Sequence, residues 1–370
     1  MAKLKVLLAT SYIDQIGGGV SDVVNNLATS DLTHDFDVSV VGVSSKERRR
    51  DIGRGNATYY ELPAEGPLKL GFSFGYRKAI EEVNPDLIHV HGLWTWHNIA
   101  VSSYVKERAV KLIVSPHGML SPEALSYSKK IKELLALCVQ RPLLGRADAL
   151  HATCDEEVKD ISRFCLNPRV ALIENGVYDT MLGPLRPERQ KYFLSVSRLH
   201  HKKGLDLLLH AWKVSEAREL GYELIVAGPD EQGYRAKLER IIEKEAIKGV
   251  SIIGEVYGAE KDRLMAGAHC FLLPTRSENF GLTVAESLLN ATPVVCSKNA
   301  PWQELETNGC GKWIDLSIED IRASLNFYAR KSTWEIEIEG KRGRDWVLST
   351  FHWDKIVGRY CSLYNNVLGK

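Results

Sequence analysis

Short apolar runs alternate with longer amphipathic stretches along nearly the whole chain. Residues 5–9, 38–43, 86–90, 111–115, 147–152 and 170–173 are brief runs bounded by turn-forming residues, and helix-like segments lie between them. This alternation predicts a parallel, doubly wound sheet. The pattern breaks at Asn175-Gly176 and passes through the proline-rich, charged linker GPLRPERQKY before it restarts. Residues 192–196, 223–227, 250–253, 270–273 and 294–296 then form a second set of strands. The fold class expected is therefore α/β, with two Rossmann-like halves whose strand ends face a cleft. Residues 353–368 place Ile356, Tyr360, Leu363, Tyr364 and Val367 on one stripe of a helix that is expected to cross back to the first half. The division expected is residues 1–185 with 352–370, and residues 186–351.

Composition narrows the class. A chain of 370 residues, 44% of them hydrophobic, can fill two cores. A net charge of +1 argues against a general nucleic-acid binder. The seven cysteines are dispersed without a CxxC pair, as expected of reduced thiols in a cytoplasmic protein. The first apolar run leads into Asp14 and glycines without a cleavage site, so it reads as a strand rather than a signal peptide, and no run approaches membrane-spanning length.

The chemistry concentrates in loops that follow strands. Before SENFGLTVAE a strand ends at Pro274, and within it helical spacing begins at Leu282. The amides of Asn279, Phe280, Gly281 and Leu282 would meet an anion at a helix N-terminus, and Gly281 permits its close approach. Glu278, before the helix, and Glu286, about one turn inside, could then read hydroxyls on either side of a phosphate. Taken alone, both glutamates also suit a helix that simply favours negative charge at its start. In SVSRLHHKKG, the cations Arg198 and Lys203 flank another strand-to-helix turn, where an anionic ligand would balance them, and Lys202 reads as surface. Gly17, Gly18 and Gly19 precede a helix without the dinucleotide spacing. His117 follows a strand in SPHGM, where it could donate to a sugar hydroxyl or simply brace its loop. Trp94 and Trp96 either pack on a sugar face or belong to the core. His89 and His91 share a strand face near His97, but no cysteine or carboxylate stands at ligand spacing for zinc. The one DxD, Asp35-Phe36-Asp37, precedes a strand away from these loops, so no metal is expected.

Together, ENFGLTVAE, SRLHHKKG, GGGV and SPHGM, in this order over nearly the full length, resemble the retaining GT-B glycosyltransferases of family four, which build bacterial surface polysaccharides and glycolipids. The resemblance implies sugar transfer with retained anomeric configuration, without metal or cofactor, from a UDP- or GDP-linked donor. It implies that Glu278 contacts the donor sugar and Glu286 the ribose. Residues 279–282 would hold the sugar and phosphate end. Arg198 and Lys203 would hold the diphosphate, together with Gly18 and Gly19. IIGEV resembles the nucleobase turn, implying contacts at Gly254 and Val256, and His117 matches the histidine near the reacting carbon. The catalytic set implied is His117, Arg198, Lys203 and Glu278, with Trp94, Trp96 and His117 on the acceptor side. Ser197 departs from the glycine usual before the arginine. Residues 126–146, basic at both ends and apolar between, suit either a helix on an anionic membrane surface near a lipid-linked saccharide acceptor, or a buried helix. A peripheral position on the inner face of the plasma membrane stays open accordingly. The rival reading is a sugar-nucleotide epimerase of the same fold, which would use the donor without an acceptor.

Overall fold

The structure is a computed structural model that describes residues 3–44, 55–167, 169–179 and 187–370, except the side chains of Gln15 and Lys69. Contacts divide the chain into two compact units, residues 1–176 with 353–370, and residues 177–352. The first unit thus closes at the Asn175-Gly176 break. The boundary expected after residue 185, inside the linker, lies outside the described residues.

The first unit is built on β1 (Leu4–Tyr12), β2 (Phe36–Ser44), β3 (Thr58–Pro63), β4 (Leu87–His91), β5 (Lys111–Ser115), β6 (Ala149–Ala152) and β7 (Val170–Leu172). Among the described residues these form one parallel sheet of order β3-β2-β1-β4-β5-β6-β7. Val6, Leu7, Leu8 and Ala9 of β1 are wholly buried because helices cover both faces of the sheet. β3 has no counterpart in the sequence reading. As an edge strand it is half-buried, carries little apolar pattern and tolerates Pro63 at its end. The Trp353–Leu368 helix packs on this unit through Trp353, Ile356, Tyr360 and Tyr364, and the Tyr364 ring lies 5.7 Å from that of Phe36.

In the second unit β8 (Tyr192–Val196), β9 (Glu223–Ala227), β10 (Val250–Ile253), β11 (Cys270–Leu273), β12 (Val294–Ser297) and β13 (Gly311–Ile314) pair in parallel in the order β10-β9-β8-β11-β12-β13. Consecutive β8 residues feed separate cores: Leu194 packs with Phe271, Val284 and Leu288, and Phe193 with Trp212, Leu224 and Leu325. Each such side chain, fully buried, contributes roughly 1.5–3 kcal/mol. The strand order reverses between β8 and β11, and the crevice beyond the carboxyl ends of such a pair is where open α/β sheets bind ligands. The loops that leave β8 and β11 are those carrying Arg198 to Lys203 and Glu278 to Gly281.

Candidate functional site

Two helices begin at this switch point, and both begin at glycine. The Leu205–Lys213 helix follows Gly204 (φ 65°), the Leu282–Leu289 helix follows Gly281 (φ 81°), and neither receives a side-chain cap from its glycine. Their first N–H groups therefore keep their capacity for an outside acceptor. A β-carbon on Gly204 would lie 1.9 Å from the Pro274 carbonyl oxygen, so only glycine lets the two loops approach this closely. The approach is locked by Arg276. Its guanidinium grips both Asp206 oxygens at 2.9 Å, and its backbone N–H donates to the Lys202 carbonyl at 2.7 Å. Ser297, at the end of β12, and Asn299, just beyond it, support the loop by donating to the Thr275 carbonyl.

Between the helix starts, Lys203 donates to the Glu278 carboxylate, with side chains only 12% and 16% exposed. Burial would raise the Glu278 carboxyl, yet Lys203, and behind it Lys202 and Arg198, hold it below the usual carboxylate range. Lys202, read from sequence as surface, thus adds to the field. Arg198 is 59% exposed and paired with Glu231 at 2.7 Å, a partner the sequence reading missed. Ser197, where glycine is usual, is buried. The close approach there is made by Gly228 opposite, whose β-carbon would sit 1.9 Å from the Ser197 carbonyl oxygen.

Glu286 meets a second missed residue. Lys261, in the Gly258–Gly267 helix, donates to it at 2.6 Å, with side chains 17% and 29% exposed. The signal was available, because this helix opens just after IIGEV and Lys261 stands one turn inside it. Gly254, at the end of β10, is open, and its carbonyl accepts from Gly228 at 3.0 Å; Val256 is buried. Phe280 is held by Trp302, whose Nε1–H donates to its carbonyl at 2.6 Å. Leu282 opens the helix, and Asn279 lies half-buried two residues before Gly281. The second unit thus gathers Arg198, Lys203, Glu278 and residues 279–282 at one switch point, and joins Glu286 to Lys261 from the helix after β10.

In the first unit, Gly18 (φ 55°) opens the Gly18–Thr29 helix with space around it, and Gly19 is exposed. His117 has a left-handed backbone (φ 53°) and stacks on His91, with Nε2 3.0 Å from His91 Nδ1. Burial pushes the His117 imidazole down to about 4, so it is neutral near pH 7. The loop is braced through Gly118, whose N–H donates at 2.6 Å to the buried Glu157. The other buried histidines of this unit are used within the protein. His89 bonds Tyr364 and Ser115, His151 bonds Ser115 and the Ile173 carbonyl, and His97 bonds Thr95 and Asn98. These partners replace the zinc alternative. Among the described residues no group of three or more His, Cys, Asp or Glu is arranged to hold a metal ion.

The two tryptophans are not brought together. Trp96 is the first residue of the Trp96–Glu107 helix, rather than a loop residue, and packs on Phe72 at 4.4 Å between ring centres. Trp94 packs edge-on against Phe164, its indole N–H on the Met119 carbonyl at 3.1 Å. The expected single helix over 126–146 is interrupted. Pro122–Ser126 ends before Ser128 (φ 52°), Lys129–Leu135 follows, a π turn spans Ala136–Gln140, and Arg141–Arg146 completes it. Its outer face exposes Ile131, Leu134 and Leu137 by 64–66%, so it is not a buried helix.

Two family models tile the chain: "Glycosyltransferase Family 4" matches residues 17–180 and "Glycosyl transferases group 1" residues 183–327. A GDP-mannose:cellobiosyl-diphosphopolyprenol alpha-mannosyltransferase of Komagataeibacter xylinus is 25% identical over 99% of this chain and 94% of its own length. Among solved structures, Anabaena Alr3699/HepE in complex with UDP and glucose superposes with a TM-score of 0.77 at 16% identity, covering 98% of this chain and 100% of that one. Sucrose-phosphate synthase from Thermosynechococcus elongatus gives 0.80 at 18% identity, with 99% of each chain covered. The chain belongs to the GT-B glycosyltransferases of family four.

Proposed function

We propose that this glycosyltransferase moves a hexosyl group from a UDP- or GDP-linked donor to a lipid-linked saccharide acceptor, retaining the anomeric configuration and using neither metal nor cofactor. The observation that carries the reading is the Lys203–Glu278 pair set between two glycine-started helix N-termini. On donor binding the diphosphate takes the place of the carboxylate as the acceptor for Lys203 and the helix amides, and Glu278 turns to the sugar hydroxyls. Glu286 accepts from the ribose diol. The acceptor hydroxyl attacks C1 as the bond from C1 to the phosphate oxygen breaks. The departing phosphate takes the acceptor's proton, and its developing charge falls on donors already in position. Lys203, Lys202, Arg198 and two helix dipoles supply the positive field for which other enzymes recruit a divalent ion.

The acceptor class is supported by the mannosyltransferase relative, whose name specifies a diphosphopolyprenol substrate, and by the Lys129–Leu135 helix. That helix presents Ile131 and Leu134 to solvent beside Lys129 and Lys130, as does a helix lying on an anionic membrane surface. No helix among the described residues is long and apolar enough to cross a membrane. The test is a screen of UDP- and GDP-sugars for thermal stabilisation, followed by transfer to a prenyl-diphosphate oligosaccharide with and without EDTA, reading the anomeric configuration of the product by NMR. An inverted product, loss of transfer on chelation, or epimerised donor in the absence of acceptor would each overturn the reading.

A further inference from the structure

A second site lies in the first unit, under the interrupted helix. The Pro122–Ser126 and Lys129–Leu135 helices, the π turn and the Asp155–Phe164 helix enclose a pocket of about 670 Å3, within the roughly 300–1,000 Å3 of small-molecule sites. Trp94 and Phe164 meet edge-on in its wall, 5.9 Å between ring centres, and Leu120, Leu125 and Leu137 continue the apolar surface. Four cations and two carboxylates also line it. Arg163 is paired with Asp160 at 3.0 Å, and Lys129 stands 4.0 Å from Glu133. Lys132 and Arg141 are left in excess; among the described residues neither is paired with a carboxylate. Lys132 lies 5.6 Å over the Trp94 ring and donates to the Ala124 carbonyl, and Arg141 lies 5.4 Å over Phe164. Burial lowers the Lys132 ammonium from its usual range, so a partly desolvated cation is held there against its own preference, and a bound anion would relieve it.

Two further features point to a ligand. Trp94 holds a left-handed backbone (φ 71°), a conformation that is strained for a large side chain and persists where its surroundings fix it. Leu137, which lines the pocket, also stands 66% exposed in line with Ile131 and Leu134. The apolar lining therefore runs out of the pocket onto an open ridge. A short polar ligand leaves that ridge unused, and a plain hydrocarbon leaves the two cations unanswered.

We infer that this pocket binds the phosphorylated end of a long-chain prenyl carrier, with the first prenyl units against Trp94, Phe164 and Leu137 and the phosphate on Lys132 and Arg141. The inference rests on the proposed lipid-linked acceptor and assigns its carrier a place on this chain. Calorimetric titration of the full chain with farnesyl diphosphate, inorganic diphosphate and farnesol tests it. Farnesyl diphosphate is expected to bind at least about tenfold more tightly than either half alone, a margin of roughly 1.4 kcal/mol. Lys132→Met and Arg141→Gln should each weaken it by about tenfold and leave affinity for UDP or GDP unchanged. The inference is overturned if inorganic diphosphate binds equally well, if both variants bind farnesyl diphosphate like the parent, or if phosphatidylglycerol vesicles compete as well as the prenyl ligand. Should Lys132→Met fail to fold, Arg141→Gln and the three-ligand comparison on the parent decide the matter. Prenyl binding without any nucleotide affinity would reject the transferase mechanism and leave this site standing, so the two failures are distinguishable.

Discussion

Replacing Lys203 with methionine keeps the side chain's length and removes its charge, which leaves Glu278 in a pocket where only 16% of its side chain meets solvent. Removing one partner of a buried ion pair costs roughly 3–5 kcal/mol, because the remaining charge is left uncompensated. Lys202 and Arg198 still act on Glu278, so the lower end applies, about 3 kcal/mol at pH 7. The pH dependence gives the sign. In the parent the folded carboxyl titrates below its ordinary value of 4.5, so the pair's contribution is present above that pH and lost as pH falls through the folded value. In the variant burial dominates and the folded carboxyl titrates above 4.5; stability is regained as pH falls, and the gap to the parent narrows between pH 7 and pH 5. A two-unit chain need not unfold in one step. The measurement is therefore hydrogen exchange under urea, read on peptides covering Tyr192–Val196 and Leu282–Leu289. The double variant Lys203→Met with Glu278→Gln should recover most of the loss, because no charge is then stranded. Turnover should fall about 10²–10³-fold, the usual effect of deleting one donor to a developing oxyanion. A variant within about 0.5 kcal/mol of the parent at pH 7, or one with near-normal turnover, would refute the assignment of Lys203.

Four other substitutions probe separate parts of the structure. Gly204→Ala, whose β-carbon would meet the Pro274 carbonyl oxygen at 1.9 Å, should destabilise the second unit by roughly 2–4 kcal/mol through backbone strain and collision. Gly221→Ala, also left-handed (φ 81°) but with open space around it, should cost only about 1 kcal/mol, and equal costs in urea titration would discredit the close approach. Glu286→Gln should weaken UDP or GDP binding about tenfold, the worth of a charge-assisted hydrogen bond, and leave the 2′,3′-dideoxy nucleotide unaffected in calorimetry; equal losses for both would remove Glu286 from the ribose. Burial pushes His97 down to about 4 from 6.5, so the unfolded chain takes up a proton that the folded one refuses as pH falls below 6.5. The first unit should lose about 2 kcal/mol through this residue by pH 5, and His97→Gln should remove that share of the slope; an unchanged slope in pH-dependent urea unfolding would contradict it.

The sequence by itself determined where most strands run and which loops carry chemistry. Central strands such as β8 and β11 are apolar on both faces, so their runs stand out and their limits match. The Leu282–Leu289 helix announced itself by its apolar spacing and by Asn290 after it. The edge strands β3 and β13 were not legible, because a strand with one neighbour needs no continuous apolar run. Only the tertiary structure decided the partners. Lys203 and Glu278, and Arg276 and Asp206, are far apart in the chain and meet because β8 lies beside β11 and the loops leave the same edge of the sheet, while Lys261 and Glu286 meet because the helix after β10 packs on the helix after β11. The separate surroundings of Trp94 and Trp96, and the open outer face of the Lys129–Leu135 helix, were likewise beyond reach of sequence. A charge or ring shows its identity along the chain, but what it neutralises or packs against is set by non-local pairing of strands.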